Sequence, residues 1–135
     1  MKLIPYINFG GNAEEAMNFY AAALGGSIAS IQRYGDSPVP ADEDYKQKVL
    51  HGRLTFGDNL IMISDVFKGQ EVSVNGNIQL SIDVIEGEQI DTVFNRMAEG
   101  GQVTMPLEDT FWGARFGMLK DRFGVAWMFN YEFKK

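Results

Sequence analysis

Hydrophobic and polar positions alternate with a period of two over several short stretches of this chain. Over two others the period is about 3.6 residues, as on one face of a helix. Leu3–Phe9 is β-branched and aromatic and predicts a strand, with Pro5 near an edge or the strand start because it has no N–H for a ladder. Gly10-Gly11-Asn12 breaks that run. Asn12 and Glu15 have the spacing of a capping box, and Ala13, Ala16, Met17, Tyr20, Ala23 and Leu24 follow at helical intervals. A helix is predicted over Ala13–Leu24, stopped by Gly25-Gly26. Strands are predicted over Ser27–Tyr34, Val49–Phe56 and Leu60–Ser64, the last two joined by the turn Gly57-Asp58-Asn59. Between the first two of these, Gly35–Lys48 reads as a polar loop whose Asp42-Glu43-Asp44 run is solvated.

After a connection over Gly69–Asn77 with a turn signal at Asn75-Gly76, the plan repeats. Ile78–Val84 predicts a strand and Glu88–Ala98 a helix with Ile90, Val93, Phe94, Met97 and Ala98 on one face, ended by Gly100-Gly101. Gln102–Met105 is short and extended, Thr104–Gly113 a loop, and Ala114–Leu119 and Val125–Tyr131 are strands joined around Asp121–Gly124. A shift of 74 residues lays Ala16 on Ile90, Phe19 on Val93, Tyr20 on Phe94 and Ala23 on Met97. The chain therefore reads as two β-α-β-β-β modules of an α+β fold, about residues 1–68 and 77–135 of one domain, whose sheets curl as one mixed sheet around a cleft.

Composition narrows the function classes. The 135 residues carry 12 Lys plus Arg against 18 Asp plus Glu, a net charge of −6. An acidic chain lacks the basic face that releases phosphate counterions, so nucleic acid is not an expected partner. No cysteine is present, which removes disulfides, thiolate metal sites and a Cys nucleophile. Neither a signal peptide nor a membrane-length apolar run is apparent, and a cytoplasmic protein with no membrane partner is expected.

Alternation also assigns faces. Leu54 and Phe56 oppose His51, Arg53 and Thr55; Ile78, Leu80, Ile82 and Val84 oppose Gln79, Ser81 and Asp83; Val125, Trp127 and Phe129 oppose Ala126, Met128 and Asn130. Amphipathic helices cover the apolar faces, leaving His51, Arg53, Gln79, Ser81 and Met128 to line the cleft or to meet solvent. His51 is the one histidine, and its unperturbed pKa lies near neutrality. It is a candidate acid–base catalyst, or a structural histidine at a strand start. Arg53 and Arg115 are candidates for holding an anionic ligand in bidentate fashion, or partners in salt bridges. Trp112 stands where it closes over a ligand or packs at a subunit interface, with Phe116 and Met128 as further contact area. Trp127, on the apolar face, belongs to the core. No glycine-rich nucleotide motif on a strand–turn–helix supports a methyl-donor site, and Gly10-Gly11 lacks the Lys-Ser/Thr of a phosphate loop.

Several segments together resemble a known family. They are Pro5-Tyr6-Ile7-Asn8-Phe9 with Gly11-Asn12-Ala13-Glu14-Glu15-Ala16, Phe19-Tyr20 and Leu24-Gly25-Gly26; His51-Gly52-Arg53-Leu54 leading to Ile63-Ser64-Asp65; and Phe111-Trp112-Gly113-Ala114-Arg115 followed by Asp121-Arg122-Phe123-Gly124-Val125-Ala126-Trp127. The order and spread resemble the PhnB-like subgroup of the vicinal oxygen chelate superfamily, which holds glyoxalase I, extradiol dioxygenases and fosfomycin and bleomycin resistance proteins. The resemblance implies a homodimer and a small oxygen-bearing ligand. It also implies a divalent metal held from positions near Pro5, near Met62 or Ser64, near Asn77 and near Met128. Those residue types are poor donors for a hard ion, and one histidine cannot make a two-His-one-carboxylate site. The metal is therefore expected to be missing, unless Asp65, Asp83 or Glu108 build a carboxylate site. Either an enzyme of the lyase, isomerase or oxygenase kind, a metal-free sequestering protein, or a member with a vestigial cleft fits this pattern.

Overall fold

The computed structural model describes residues 1–73, 77–85 and 87–133, and the side chains of all of these but 87 and 88. The first helix, Ala13–Leu24 (α1), covers the residues its apolar spacing predicts, with Ala13, Ala16, Met17, Tyr20 and Ala23 buried. Gly25 ends it in the left-handed conformation at φ 68°. Its start differs from the expected capping box, since Asn12 makes no side-chain cap bond. The buried carboxylate of Asp65 takes that place: Oδ1 accepts from the N–H groups of Gly11 at 2.8 Å and Ala13 at 2.9 Å. A charged acceptor brought by a strand satisfies the orphan donors and complements the positive end of the helix.

The strands Tyr6–Phe9 (β1), Ser27–Arg33 (β2), Val49–Phe56 (β3) and Asn59–Asp65 (β4) form one sheet in the order β1-β4-β3-β2. β1 and β4 run parallel, and the other neighbours are antiparallel. Leu80–Asp83 (β5), Gln102–Asp109 (β6), Ala114–Lys120 (β7) and Ala126–Glu132 (β8) form a second sheet in the order β5-β8-β7-β6, with Gly87–Ala98 (α2) as its helix. Again the first and last strands, β5 and β8, pair in parallel. The β-α-β-β-β plan is thus written twice, and the eight strands divide into two four-stranded mixed sheets. The chain divides into two compact units, Met1–Ser73 and Val74–Lys135.

In each unit the helix lies on one face of its sheet, and a glycine lets it approach. Gly52 on β3 pairs with Ile63, and a Cβ there would meet Met17 of α1 at 2.7 Å. Gly117 on β7 pairs with Phe129, and a Cβ there would meet Phe94 of α2 at 2.9 Å and the Leu107 backbone at 2.9 Å. Ile61, Ile63 and Leu54 bury against the first helix side; Leu119, Trp127 and Phe129 do so in the second unit. Trp127 is core, and its indole N–H donates to the buried Asp121 carboxylate at 2.8 Å.

Two predicted elements change. Thr104–Gly113, expected as a loop, is mostly strand, because β6 is an edge and accommodates Pro106 where the register shifts between Met105 and Glu108. Tyr34, predicted as the end of a strand, and Tyr45, within the polar loop, are buried and sit on short 3-10 turns. Tyr34 donates to the Asp65 carbonyl at 2.8 Å, and Tyr45 donates to the Val66 carbonyl. The acidic run of that loop forms surface pairs, Lys68 with Asp42 and Asp44, and Lys46 with Glu43. The Asn75-Gly76 turn lies outside the described residues.

Candidate functional site

With α1 on one face of the first sheet, side-chain alternation sends a second set of residues to the other. Along β3 these are His51, Arg53 and Thr55, since Gly52 and Leu54 point to the helix. Register then places their neighbours: Arg53 lies opposite Met62 on β4 and Ser30 on β2, and Met62 lies opposite Tyr6 on β1. One step along, Asn8 lies opposite Ser64, and Gln32 opposite His51. Tyr6 Oη stands 3.3 Å from His51 Nδ1, and the two rings are tilted at 42° with centroids 5.8 Å apart. The Ser64 hydroxyl donates to Asn8 Oδ1 at 3.0 Å. The pairing with Tyr6 fixes the imidazole and leaves Nε2 as its second hydrogen-bonding atom. Arg53 is half-buried beside this pair.

Tyr6, Asn8 and Ser64 carry hydrogen bonds on this face that periodicity did not single out as site contacts. The signal was available in part, because a short strand starting after Pro5 puts Tyr6 and Asn8 on one side. Only the parallel pairing of β1 with β4 shows that this side is shared with His51 and Arg53.

The other sequence candidates belong to the second unit. Met128 lies opposite Ser81 and Met118, and Phe116 opposite Asn130 and Glu108, all on the face away from α2. Trp112, in the β6–β7 turn, is 58% exposed and meets Phe111 and Phe116 edge-on, with centroids 5.1 and 6.3 Å away. Gln79 precedes β5 and is exposed. Arg115 stands apart from them on the face of β7 that α2 covers. It donates to Asp91 of α2 at 2.7 Å and to Asp109 at 3.0 Å. The hydrogen bond to Asp91, then that to Asp109, holds its pKa above the ordinary arginine value. Of its two sequence readings, the structure gives Arg115 the salt bridge.

The positions implied for a metal do not supply a fitting donor set. Pro5 offers only its backbone carbonyl, which already accepts from the Met62 N–H at 3.0 Å. Met62 and Met128 are soft ligands, unsuited to an ion that binds two substrate oxygens. Asp65 is consumed on the helix side, its Oδ2 accepting from the Val49 N–H at 2.9 Å in addition to the two bonds at Oδ1. Asp83 is on β5, where it receives a long bond from Asn130 at 3.4 Å. Among the described residues no three His, Cys, Asp or Glu side chains gather into a group that could hold an ion.

A hollow of about 470 Å3 opens beside the start of α1, lined by Gly11, Asn12, Glu14, Glu15, Gln47, Lys48 and Asp65. Of the sequence-predicted site residues only Asp65, a carboxylate candidate for a metal, lines it, and its oxygens are already taken by backbone N–H groups. Its rim is held by Arg33, which donates to both Glu14 oxygens at 2.8 and 3.0 Å, and by Lys48, which donates to the Gly11 carbonyl at 2.8 Å. The Arg33 hydrogen bond draws the Glu14 pKa below the ordinary carboxylate value.

Comparison with known proteins places this geometry in a family. The chain is 42% identical to protein PA1353 of Pseudomonas aeruginosa, with a TM-score of 0.88 and 98% of each chain covered. It is 32% identical to a PhnB protein of Bacillus cereus, with a TM-score of 0.82, over 97% of this chain and 99% of that one. It is also 29% identical to protein YjdN of Escherichia coli K12, over 96% of this chain and 95% of that one. Glyoxalase-related and glyoxalase/bleomycin resistance/dioxygenase structures share the fold alone, at 18% and 17% identity. The family model described as 3-demethylubiquinone-9 3-methyltransferase matches residues 1–129. By that match, and by its identity to a PhnB protein, the chain belongs to this PhnB-like family.

Proposed function

We propose that the protein binds a small oxygen-bearing organic molecule on the helix-free face of its first sheet, through hydrogen bonds rather than through a chelated metal. The observation that carries this reading is the Tyr6–His51 pair beside the Ser64–Asn8 pair, a set of oriented donors and acceptors on the face of the first sheet opposite α1. His51 is the proton-transfer group of the site, oriented by Tyr6 as a general base is oriented by a second residue. The exposed Trp112 with Phe116 and Met128 favours a second reading, in which the molecule is sequestered unchanged against aromatic and thioether surface.

One experiment separates the two. Protein stripped with EDTA is titrated with a panel of 2-hydroxy acids, 2-oxo acids and catechols while amide resonances are followed, and any binder is incubated to look for product. The expected result is a metal-independent shift at Tyr6, His51 and Ser64. With His51→Asn, an enzyme loses turnover, whereas a sequestering protein keeps its affinity within a few-fold. Shifts that require an added divalent ion, or none at all on this face, overturn the proposal.

The same reading takes the protein as a cytoplasmic homodimer. The absence of cysteine supports the compartment. Exposed Val103 and Met105 on edge strand β6, with Phe111 and Trp112, support self-association. Light scattering should give twice the 15.1 kDa chain mass, and a monomer at micromolar concentration contradicts it.

A further inference from the structure

The charges of this chain are unevenly spent. Acidic residues outnumber basic ones by 18 to 12, and four cations on other surfaces meet carboxylates. Arg33 takes Glu14, Arg115 takes Asp91 and Asp109, Lys46 takes Glu43, and Lys68 takes Asp42 and Asp44. The helix-free face of the first sheet is different. Its side chains, from Tyr6 and Asn8 through Met62 and Ser64 to His51, Arg53 and the serines and glutamine of β2, include no Asp or Glu. Arg53 is half-buried there, and among the described residues it makes no ion pair. A partly desolvated guanidinium is costly to keep without a counter-charge, and its planar fork matches a carboxylate or similar oxyanion.

We propose that the molecule bound on this face is an anion, a small carboxylate whose charge Arg53 receives in bidentate fashion while a second oxygen meets the Tyr6–His51 pair. This rests on the binding reading above and adds the charge and the spacing. His51 and Arg53 are two residues apart on one strand, so their Cα atoms lie about 7 Å from one another. Tyr6 is reached across Met62, two strand spacings from Arg53, or about 10 Å. A guanidinium and a phenol are long enough to converge over such spacings, so a molecule that touches both is a small carboxylate with a second oxygen, such as a hydroxy or oxo acid. Met62, between them, offers an apolar floor for its carbon skeleton. Arg115, the other cation with the right chemistry, already has two carboxylates and is not needed.

The test uses two probes of the same shape and different charge, mandelate and its neutral amide mandelamide, with acetate and inorganic phosphate as minimal anions. Each is titrated into isotope-labelled full-length protein, wild type and Arg53→Gln, by NMR. Mandelate is expected to shift Tyr6, His51, Arg53 and Met62 and to bind at least about tenfold more tightly than mandelamide, the scale of one charge-assisted bidentate contact. Arg53→Gln should weaken mandelate binding much more than mandelamide binding and so remove that preference, with the melting temperature checking that the variant folds, and Arg53→Lys should restore part of it. If both probes bind this face equally, or if the preference survives Arg53→Gln, the charge assignment is wrong and the binding reading stands. If no probe, acetate and phosphate included, perturbs this face, both are overturned.

Discussion

Asp65 shows how far one side chain's role depends on what surrounds it. Read along the chain, it is a carboxylate next to a candidate ligand position. Folded, it is buried and accepts from three backbone N–H groups, those of Gly11, Ala13 and Val49, tying β4 to the start of α1 and to β3. Removing a buried acceptor leaves donors unsatisfied, so Asp65→Ala should cost about 3 kcal/mol and about 10 °C in Tm, with Asp65→Asn losing less because Oδ1 still accepts. Urea denaturation with a matched thermal scan checks this. Nearby, burial raises the pKa of Tyr34 and Tyr45 above the usual 10.0. Their phenols are protonated in the fold, so that contribution is complete below pH 10 and fades as pH rises through the folded values. Stability measured from pH 8 to 11 should fall on the alkaline side, and the Tyr34→Phe, Tyr45→Phe double variant should flatten the fall while starting from a lower plateau.

At the scale of the element, helix-to-sheet approach is set by one glycine per unit. Gly52 and Gly117 are equivalent in register, each beneath its helix, yet they meet different neighbours. A Cβ at Gly52 would press on the end of the Met17 side chain, which can swing away. One at Gly117 would also press on the backbone of Leu107, which cannot. Overpacking of this kind costs about 1–3 kcal/mol, so Gly117→Ala should fall at the upper end and Gly52→Ala at the lower, as midpoint shifts in urea. Equal losses would mean that the helices, not these neighbours, take up the strain. The same scale explains β6: a proline is excluded from a central strand by its missing N–H, but an edge strand with register shifts tolerates it.

For the molecule as a whole, the donor inventory makes a prediction of its own. With Pro5, Met62, Ser64 and Met128 where the superfamily's ligands are expected, tag-free protein dialysed against Mg, Mn, Ni, Zn and Fe(II) should leave gel filtration with far less than one ion per chain by elemental analysis. Near-stoichiometric retention would show a donor set these residues do not provide. Among the described residues, no helix is long and apolar enough to cross a membrane. Much of this architecture was legible beforehand. The spacing of Ala16, Tyr20 and Ala23, echoed by Ile90, Phe94 and Met97, gave both helices and their duplication, because periodicity is a local property that the chain carries with it. The faces of β3 and β8 followed for the same reason. Register, pairing and partnership are not local. Periodicity could not show that β1 lies parallel to β4 and so brings Tyr6 to His51, or that Asp65 would cap α1 in place of Asn12. It left Arg53 and Arg115 chemically alike. Only folding, which sets one against Asp91 and Asp109 and the other on a face without acid, made them different.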